Sequence, residues 1–527
     1  MTWQRYLSDN MITGKKHSTT SLPQILLLFL LFTPLIYLLG DSITQLANEP
    51  ELLRLAFPTE RRFRLLLNSL KLATTVSVSV TMIGVLAGSK LVYEQTPAWK
   101  SIKWIFLLTA PVPPYIHALV WSGIVSNINQ LIKPIGLSLS GFGFSMSYLV
   151  DTMAYLPLGV GLAMVGYMLV ETPAVEAARL YKKDLTVFME VVLPLASPMI
   201  LAAMGFVFIQ AITDYSIPTL YSYSVYSLEI FSEFSASNNP VHSIWLSSPI
   251  FLITFTVLVA SLRGLRNTVQ SSSISRSESL QDWSLPGWAS TAQTLAVMVT
   301  LVQVIFLIGG LIIETGSLTS LYYAVDAATD DLYTSSLIGL SGALLGGGLG
   351  YLLSEQLGKS GYWWILISLP LALPSAIVGI GLIDIYSTWV PWLYGTMAMP
   401  IIAVTTRFVP LATIIIYTQR KRVDPLLFEA AELFKKKRLQ DLWQVKIPLQ
   451  KYGLAAGVAT LAAFSIGELG STLLVVPPGS ETLTIRIFNY LHYGGSEEVA
   501  GLCLLVVALM MCMSGIAFKT YSGGTNG

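Results

Sequence analysis

Residues 291–314 read TAQTLAVMVTLVQVIFLIGGLIIE, an apolar run whose only charged side chain is the terminal Glu314. A run of about 20 apolar residues is long enough, as a helix, to cross the roughly 30 Å hydrocarbon core of a bilayer. Further runs lie near residues 23–40, 68–92, 104–126, 146–170, 195–216, 243–265, 335–355, 363–385, 395–418, 451–475 and 497–518. They are too uniformly apolar for barrel strands, and lipid leaves backbone groups to pair within a helix.

The overall composition agrees with a membrane location. Of the 527 residues, 53% are apolar and 12% are charged, against about 25% charged in a typical soluble domain. We therefore predict an all-α polytopic membrane protein with about 12 transmembrane helices in contact with membrane lipid. The formal net charge of +1 gives no reason to expect nucleic acid as a partner.

The distribution of Lys and Arg predicts the orientation, because cytoplasmic loops carry an excess of these residues. Basic side chains concentrate in segments 90–103, 179–183, 263–276 and 420–451, which we assign to the cytoplasm together with the N-terminus. The loops near 217–242, 315–333 and 386–394 contain no Lys or Arg. The segment PTERRFR (58–64) disagrees, and we interpret it as an interfacial helix on the outer side.

Two similar decapeptides suggest an internal duplication. VEAARLYKKD (175–184) and FEAAELFKKK (428–437) are 253 residues apart, close to half the chain. Other residues match at nearly the same offset: Pro157 with Pro410, Pro194 with Pro448, and Asp214 with Glu468. We predict two parallel six-helix halves, 1–265 and 291–527, joined by a Ser-rich cytoplasmic linker, 266–290.

Both decapeptides have the signature of a helix start. Thr172 precedes Pro173 in the first copy, and Asp424 precedes Pro425 in the second, a pattern of capping residue followed by proline. The paired alanines leave a helix face that another surface can approach closely, and the neighbouring charges can fix its orientation. A single copy could be a solvated loop helix, but two copies at matching positions favour a docking element.

The longer stretches EAARLYKKDLTVFMEVVLP (176–194) and EAAELFKKKRLQDLWQVKIP (429–448) resemble the EAA loop of ABC-transporter permeases of the binding-protein-dependent importer type. In that family the loop forms coupling helices that sit in a groove of a cytoplasmic ATPase. The resemblance implies two type I importer permease halves with EAA loops at 171–194 and 424–448. It assigns ATPase coupling to Glu176, Ala177, Ala178, Pro194, Glu429, Ala430, Ala431 and Pro448.

The chain departs from the family pattern in the turn of the loop, where the usual glycine is replaced by Lys182 and Lys435. The segment at 406–434 resembles the approach to this loop in fused permeases for ferric iron, with thiamine permeases close behind. The segment at 467–491 resembles the iron group's ELPATLL segment, with Gly470 in place of proline. The resemblance thus implies ferric iron as the first substrate, with thiamine, phosphonates or polyamines as alternatives.

No nucleotide site is predicted in this chain. The fragment LGKSG (357–361) has Leu353 where a phosphate-binding loop needs glycine, and the four histidines show no metal-ligand spacing. The chain is therefore expected to be a translocation subunit and not an enzyme, with no cofactor or metal of its own. The resemblance implies that ATP and Mg²⁺ bind to two copies of a cytoplasmic ABC ATPase. It also implies a periplasmic or lipid-anchored substrate-binding protein, and a location in the bacterial inner membrane.

Ionisable residues within spans usually face the protein interior. Asp214, Arg407 and Glu468 are such residues, with Asp151 nearer the end of a span. They are candidates for contact with substrate or with gating water, and the alternative is a structural pair of Arg407 with Glu468. The small-residue stretch GALLGGGLGYLL (342–353) predicts a helix-packing face more than a pore loop.

Two other functions remain open at this stage. A secondary transporter of the twelve-helix major facilitator type would explain the duplication, but it would explain neither the paired EAA loops nor the missing charged motif between the second and third spans. A membrane scaffold or channel predicts no coupling helices and no ATPase partner.

Overall fold

The computed structural model describes residues 22–94, 97–136, 138–271, 285–424, 426–428, 442–493 and 497–523, and every α-helix and helical turn below lies within them. The first part of the chain forms α1 (Leu22–Asn48), α2 (Leu53–Ala56), α3 (Glu60–Tyr93), α4 (Pro97–Thr109), α5 (Pro114–Ile132), α6 (Gly143–Met168), α7 (Thr172–Arg179), α8 (Asp184–Val187), α9 (Leu193–Thr213), α10 (Ser216–Leu220), α11 (Tyr226–Ser237) and α12 (Pro240–Ser271). The second part forms α13 (Gly287–Thr315), α14 (Leu318–Ala327), α15 (Thr329–Leu357), α16 (Gly361–Ala372), α17 (Ser375–Trp389), α18 (Ala398–Arg420), α19 (Ile447–Ile466), α20 (Thr472–Val475), α21 (Leu483–Tyr493) and α22 (Glu497–Gly523).

The described residues contain helices and no strands, which confirms the prediction of an all-α polytopic membrane protein. Eight helices are long and apolar enough to cross a membrane: α3, α6, α9, α12, α13, α15, α18 and α22. Two bent pairs, α4–α5 at 112° and α16–α17 at 92°, raise the number to ten if each pair is one span. The two remaining predicted spans correspond to α1 and α19, so the predicted count of twelve exceeds what length and composition support in the described residues.

We call α1–α6 together with α9–α12 the first run of helices, and α13–α22 the second run. The order of long and short helices is the same in both runs. In the first run α3, α6 and α9 pack on one another, and in the second run α15, α18 and α19 do the same. The first helix of each run packs against the other run: α1, from the first run, contacts α17, and α13, from the second run, contacts α3. The two runs are consecutive in sequence but interleaved in space.

The stretch predicted to be a linker, 266–290, is helical at both ends. Helix α12 continues to Ser271 and α13 begins at Gly287, while residues 272–284 lie outside the described part of the chain. The basic residues at the end of α18, which we assigned to the cytoplasmic side, contact the ends of α12 and α22. Lys421 Nζ donates to the carbonyl oxygen of Val269 at 3.0 Å, and Arg422 Nη2 donates to Tyr521 Oη at 2.9 Å.

The segment PTERRFR is not the separate interfacial helix that we predicted, since from Glu60 onward it forms the first turn of the long helix α3. Two of its three arginines, Arg61 and Arg62, form ion pairs with α11. Arg61 Nη1 and Nη2 contact the two carboxylate oxygens of Glu229 at 2.8 and 2.9 Å, and Arg62 Nη2 contacts Glu233 Oε2 at 3.1 Å. This pairing accounts for an arginine cluster at an end of the bundle where Lys and Arg are otherwise scarce.

The second run repeats this contact with the charges exchanged. Arg486 on α21 pairs with Asp331 at the start of α15, and this carboxylate raises the pKa of the Arg486 guanidinium. Beside each ion pair, a serine hydroxyl accepts the first N–H of the short helix: Ser69 from Tyr226 at 2.9 Å and Ser335 from Leu483 at 2.7 Å. The same packing is therefore held by ion pairs of opposite polarity.

The five glycines of GALLGGGLGYLL lie inside α15, and four of them face α18 and α19. A Cβ atom on Gly347 would be 2.2 Å from Val458 Cγ2, and one on Gly350 would be 3.1 Å from the backbone nitrogen of Thr413. A Cβ atom on the neighbouring Gly348 would meet nothing within 4 Å. The stretch is a close packing face, as the sequence predicted.

We predict opposite effects of alanine at two adjacent glycines. Gly347→Ala should lower the stability of the folded chain by about 1–3 kcal/mol, because the added methyl group overlaps Val458. Gly348→Ala should be neutral or stabilising by roughly 0.5–1 kcal/mol, because alanine favours a helix and the site is open. The apparent melting temperature in one detergent measures both, and an equal loss in the two variants would contradict the packing.

We also predict that Glu229→Gln destabilises the chain by about 1.5–3 kcal/mol, because Arg61 loses its charged partner and Arg62 loses one of its two, at a side chain that is only 10% exposed. The matched control is Glu51→Gln, which removes an exposed ion pair with Arg54 and should leave the melting temperature unchanged. Equal melting temperatures for the Glu229 and Glu51 variants would count against a structural role of the cluster.

Candidate functional site

A central cavity of about 110 Å³ lies between the two runs, where several helices are interrupted. The break between α4 and α5 contributes 110–113, the break after α9 contributes Asp214 and Tyr215, and the break after α19 contributes 467–470. Ser375, the first residue after the α16–α17 bend, also lines it. Non-helical backbone at membrane depth is tolerated where it lines a cavity, so the breaks mark this cavity as a candidate site.

Asp214 stabilises the break after α9. Its Oδ1 accepts hydrogen bonds from the Ser216 backbone N–H at 3.0 Å and from the Ser216 hydroxyl at 2.7 Å, and its Oδ2 accepts from the Ile217 N–H at 3.4 Å. The carboxylate thus binds the free N–H groups at the start of α10, as a capping side chain does.

Glu468 has the corresponding role after α19. Its Oε1 accepts from the Ser471 backbone N–H at 2.9 Å and from the Ser471 hydroxyl at 3.0 Å. Arg407 Nη1 on α18 lies 3.3 Å from the same oxygen. This separation makes an ion pair, but the alignment is too poor for a hydrogen bond, and Arg407 Nη1 has no hydrogen-bond partner among the described residues.

The structure therefore brings the three predicted path residues, Asp214, Arg407 and Glu468, to the wall of one cavity. The ion pair between Arg407 and Glu468 agrees with the prediction that these two residues form a structural pair. Their position in the cavity wall agrees with the other prediction, that they contact a solute. Asp151 is different, because it is fully buried outside the lining and neither carboxylate oxygen has a hydrogen-bond partner among the described residues.

Three tyrosines in the cavity wall, Tyr115, Tyr155 and Tyr215, were not predicted from the sequence. The chain has 24 tyrosines, and a single sequence does not distinguish these from the others. The one available signal was adjacency to a break: Tyr115 follows the PVPP interruption and Tyr215 follows Asp214.

Gly470, which replaces the proline of the iron group, packs directly on Ser375. A Cβ atom at position 470 would lie 2.0 Å from Ser375 Oγ and 2.7 Å from Ser375 Cβ. Any larger residue, proline included, would displace the start of α17. The glycine at this position is therefore explained by a close approach of two breaks in the cavity wall.

A second cavity, of about 290 Å³ and almost wholly apolar, adjoins the first. It is lined by α6, α9 and α12 of the first run and by α16, α18 and α19 of the second. Leu158, which follows Pro157 on α6, and Phe464 on α19 line both cavities. Phe464 also contacts the ring of Phe408, with 5.7 Å between centroids. These side chains separate a polar chamber from an apolar one.

The first EAA loop forms two short helices, α7 and α8, between the spans α6 and α9. Helix α7 begins at Thr172 with Pro173 in its first turn, and the preceding Glu171 makes no side-chain cap, so the predicted capping role of Thr172 is wrong. Val175 is buried against α6 and α8, whereas Glu176 and Ala177 are exposed. The tip presents Leu180 and Tyr181, which are 79% and 89% exposed.

The turn between α7 and α8 is made without the family's glycine. Arg179 Nε and Nη2 bind the two carboxylate oxygens of Asp184 at 2.9 and 3.1 Å across the turn. Lys182 donates its backbone N–H to Ala178 and pairs through its side chain with Glu190. Lys182 is not among the residues with positive φ in the described chain, so the turn does not require glycine.

Most of the second EAA loop lies outside the described residues, including Glu429, Ala430, Ala431 and Lys435. At its start, Asp424 Oδ1 accepts the Leu426 backbone N–H at 2.9 Å, which agrees with the predicted helix cap. At its end, Pro448 lies in the first turn of α19, as Pro194 does in α9.

The other sequence expectations concern sites that bind nucleotide or metal. LGKSG forms the end of α15, a short turn and the start of α16, which is not the strand-to-helix context of a phosphate-binding loop. No group of three His, Cys, Asp or Glu side chains in the described residues has the geometry of a metal site.

Known proteins similar to this chain are permeases. No family model matches it. A putative 2-aminoethylphosphonate transport system permease protein of Salmonella typhimurium is 29% identical over 195 residues, which are 36% of this chain and 72% of that protein. A probable molybdenum ABC transporter permease protein of Haloferax volcanii is 27% identical over 208 residues, 38% of this chain and 76% of that protein.

A probable sulfate transport system permease protein of Chlorokybus atmophyticus is 28% identical over 168 residues, which are 29% of this chain and 58% of that protein. The homologues of this multi-pass chain are thus ABC transporter permeases for several small solutes, and they support the ABC permease class. In such transporters the permease is not itself the enzyme, and ATPase and substrate-binding partners are the general rule.

Proposed function

We propose that the chain is the membrane-spanning subunit of an ATP-driven importer, which moves a small solute into the cytoplasm by alternating access. The observation that carries this proposal is the α7–α8 loop. Two large apolar side chains, Leu180 and Tyr181, are exposed at its tip beside Glu176 and Ala177. Exposed apolar residues on a charged, small-residue helix are typical of a surface that a protein partner covers.

The partners that we propose are two copies of a cytoplasmic ATPase, one for each EAA loop, which carry ATP and Mg²⁺. Glu176, Ala177, Ala178 and Pro194 would form one contact; Glu429, Ala430, Ala431 and Pro448 would form the other. The proposed location is the bacterial inner membrane with the N-terminus and both loops in the cytoplasm. A periplasmic or lipid-anchored binding protein would deliver the solute to the opposite side.

We further propose that the two runs of helices are fused permease halves, with the boundaries 1–265 and 291–527. The lengths of the relatives support this organisation. A segment that is 36% of this chain is 72% of the Salmonella protein, so that permease is about half as long. The interleaving of α1 and α13 would then hold the two halves together as one subunit.

The two adjoining cavities suggest the route of the solute. The polar cavity lies at the helix breaks, and the apolar cavity lies toward the ends of α9 and α19 that carry the EAA loops. Leu158 and Phe464 would close the passage between them in this conformation. Movement of the two runs relative to each other would separate these side chains and open the route.

For the substrate, the sequence resemblance pointed first to ferric iron, with thiamine, phosphonate and polyamine as alternatives. The relatives are named for transport of 2-aminoethylphosphonate, molybdenum and sulfate. We therefore propose a phosphonate or a similar small oxyanion in place of iron as the first substrate to test. Ferric iron stays the second choice.

We predict that the EAA loops hold the ATPase. Phe434 occupies the position of Tyr181 in the second decapeptide. The double variants Glu176→Arg/Glu429→Arg and Tyr181→Asp/Phe434→Asp should each reduce co-purification of the cognate ATPase at least tenfold, since buried interface anchors contribute about 2 kcal/mol or more. The matched control is Tyr322→Asp, an exposed tyrosine on α14 at the other end of the bundle, which should keep the ATPase. Wild-type protein that retains no ATPase would refute the importer function.

A further inference from the structure

The central cavity contains hydrogen-bond donors that have no acceptor. Tyr115 and Tyr215 are 2% and 5% exposed, and neither hydroxyl has a hydrogen-bond partner among the described residues. Arg407 Nη1 is likewise a buried donor with no hydrogen-bond partner among the described residues. All three side chains line the cavity. A buried donor without a partner costs about 1–3 kcal/mol, so an acceptor that came within reach of these groups would stabilise the wall of the cavity.

The carboxylate oxygens in the same wall are mostly occupied. Both oxygens of Asp214 bind the first turn of α10. In Glu468, Oε1 binds Ser471 and faces Arg407, while Oε2 takes part in none of these contacts. Among the described residues, the wall of the cavity therefore carries three buried donors without a partner, one of them cationic, and one carboxylate oxygen with no hydrogen bond.

These groups lie close to one another although they come from both runs. Tyr115 and Tyr215 come from the first run, and Arg407 and Glu468 come from the second, yet all four line the one cavity. Arg407 Nη1 lies 3.3 Å from Glu468 Oε1. The volume of about 110 Å³ has room for several water molecules or for one small solute.

Resting on the proposed importer function, we propose that this cavity is a transient binding site for a small zwitterion that carries an oxyanion and an ammonium group. The oxyanion would accept hydrogen bonds from Arg407, Tyr115 and Tyr215. The ammonium group would donate to Glu468 Oε2. An aminoalkylphosphonate has both groups on a short carbon chain.

Charge balance favours a ligand that carries both signs of charge. Among the described residues, the wall carries two carboxylates, Asp214 and Glu468, and one guanidinium, Arg407, so it suits a plain oxyanion less well than an oxyanion that also carries an ammonium group. A plain cation would leave Arg407 and both tyrosine hydroxyls without acceptors. When a zwitterion binds, its oxyanion pairs with Arg407 and its ammonium group pairs with Glu468. These two charge-assisted contacts replace the poorly aligned ion pair between Arg407 and Glu468.

The test uses the full chain in lipid nanodiscs with three probes: 2-aminoethylphosphonate, methylphosphonate and ethylamine. Ligand-observed NMR titration should show 2-aminoethylphosphonate binding at least tenfold more tightly than either of the others. Tyr115→Phe and Tyr215→Phe should each weaken binding by about threefold to tenfold, and Arg407→Gln should weaken it more. Tyr322→Phe, on the surface, is the matched control and should bind like wild type.

Thermal stability separates binding from a structural role. Removing a hydroxyl that has no partner should leave the melting temperature of the free chain unchanged or raised, while the stabilisation of the chain by 2-aminoethylphosphonate should shrink. A fall in the melting temperature of both free Tyr→Phe variants, with unchanged probe affinity, would assign the tyrosines to packing and overturn the proposal.

Two further outcomes would overturn it: methylphosphonate or ethylamine binding as tightly as 2-aminoethylphosphonate, or no probe binding at millimolar concentration. Co-purification of the ATPase is measured on the same preparation. If the ATPase is retained and no zwitterion binds, the binding site is wrong and the importer function stands. If the ATPase is not retained, the proposed function fails by its own test.

Discussion

The arrangement of this protein depends on the need of every backbone polar group for a partner in hydrocarbon. Long helices meet this need by themselves, and each interruption has to be stabilised by side chains. Asp214 and Glu468 bind the N–H groups that follow α9 and α19. The hydroxyl of Thr254, on α12, donates to the carbonyl oxygen of Ala372 at 2.6 Å, where α16 ends. Polar side chains are therefore concentrated at the breaks, and the breaks meet around one cavity.

The two runs share a backbone plan but differ in charge. Ser69 and Ser335 make the same hydrogen bond, while the ion pairs beside them have opposite polarity. In the cavity the difference has a chemical consequence. Arg407 lies three residues before Pro410, and the position three residues before Pro157 is an alanine. Within the described part of the chain, only the second run thus contributes a cation to the wall. The two sides of the cavity therefore differ in charge.

The sequence predicted the helical class and the positions of most spans, because apolar composition is a local property. The prolines marked the bent pairs, and the repeated decapeptide marked the α7–α8 loop. It could not show that Asp214 and Arg407, which are far apart in the chain, line one cavity, because that convergence depends on how the runs interleave. Tyr115 and Tyr215 were missed for the same reason. PTERRFR was misjudged because its acidic partners are more than 160 residues away.

The geometry also suggests how the proposed ATPase contact would act on the cavity. Val175 and Val187 fix α7 and α8 to the neighbouring spans, and a π-helical turn at Phe188–Val192 leads directly into α9. Helix α9 is about 30 Å long and ends at Asp214 in the cavity wall. The second run has a π-helical turn at Leu442–Lys446, followed by α19, which ends just before Glu468. A displacement of the loops would therefore be carried by two rigid helices to the carboxylates that hold the breaks, and the cavity would change shape without any unfolding of the spans.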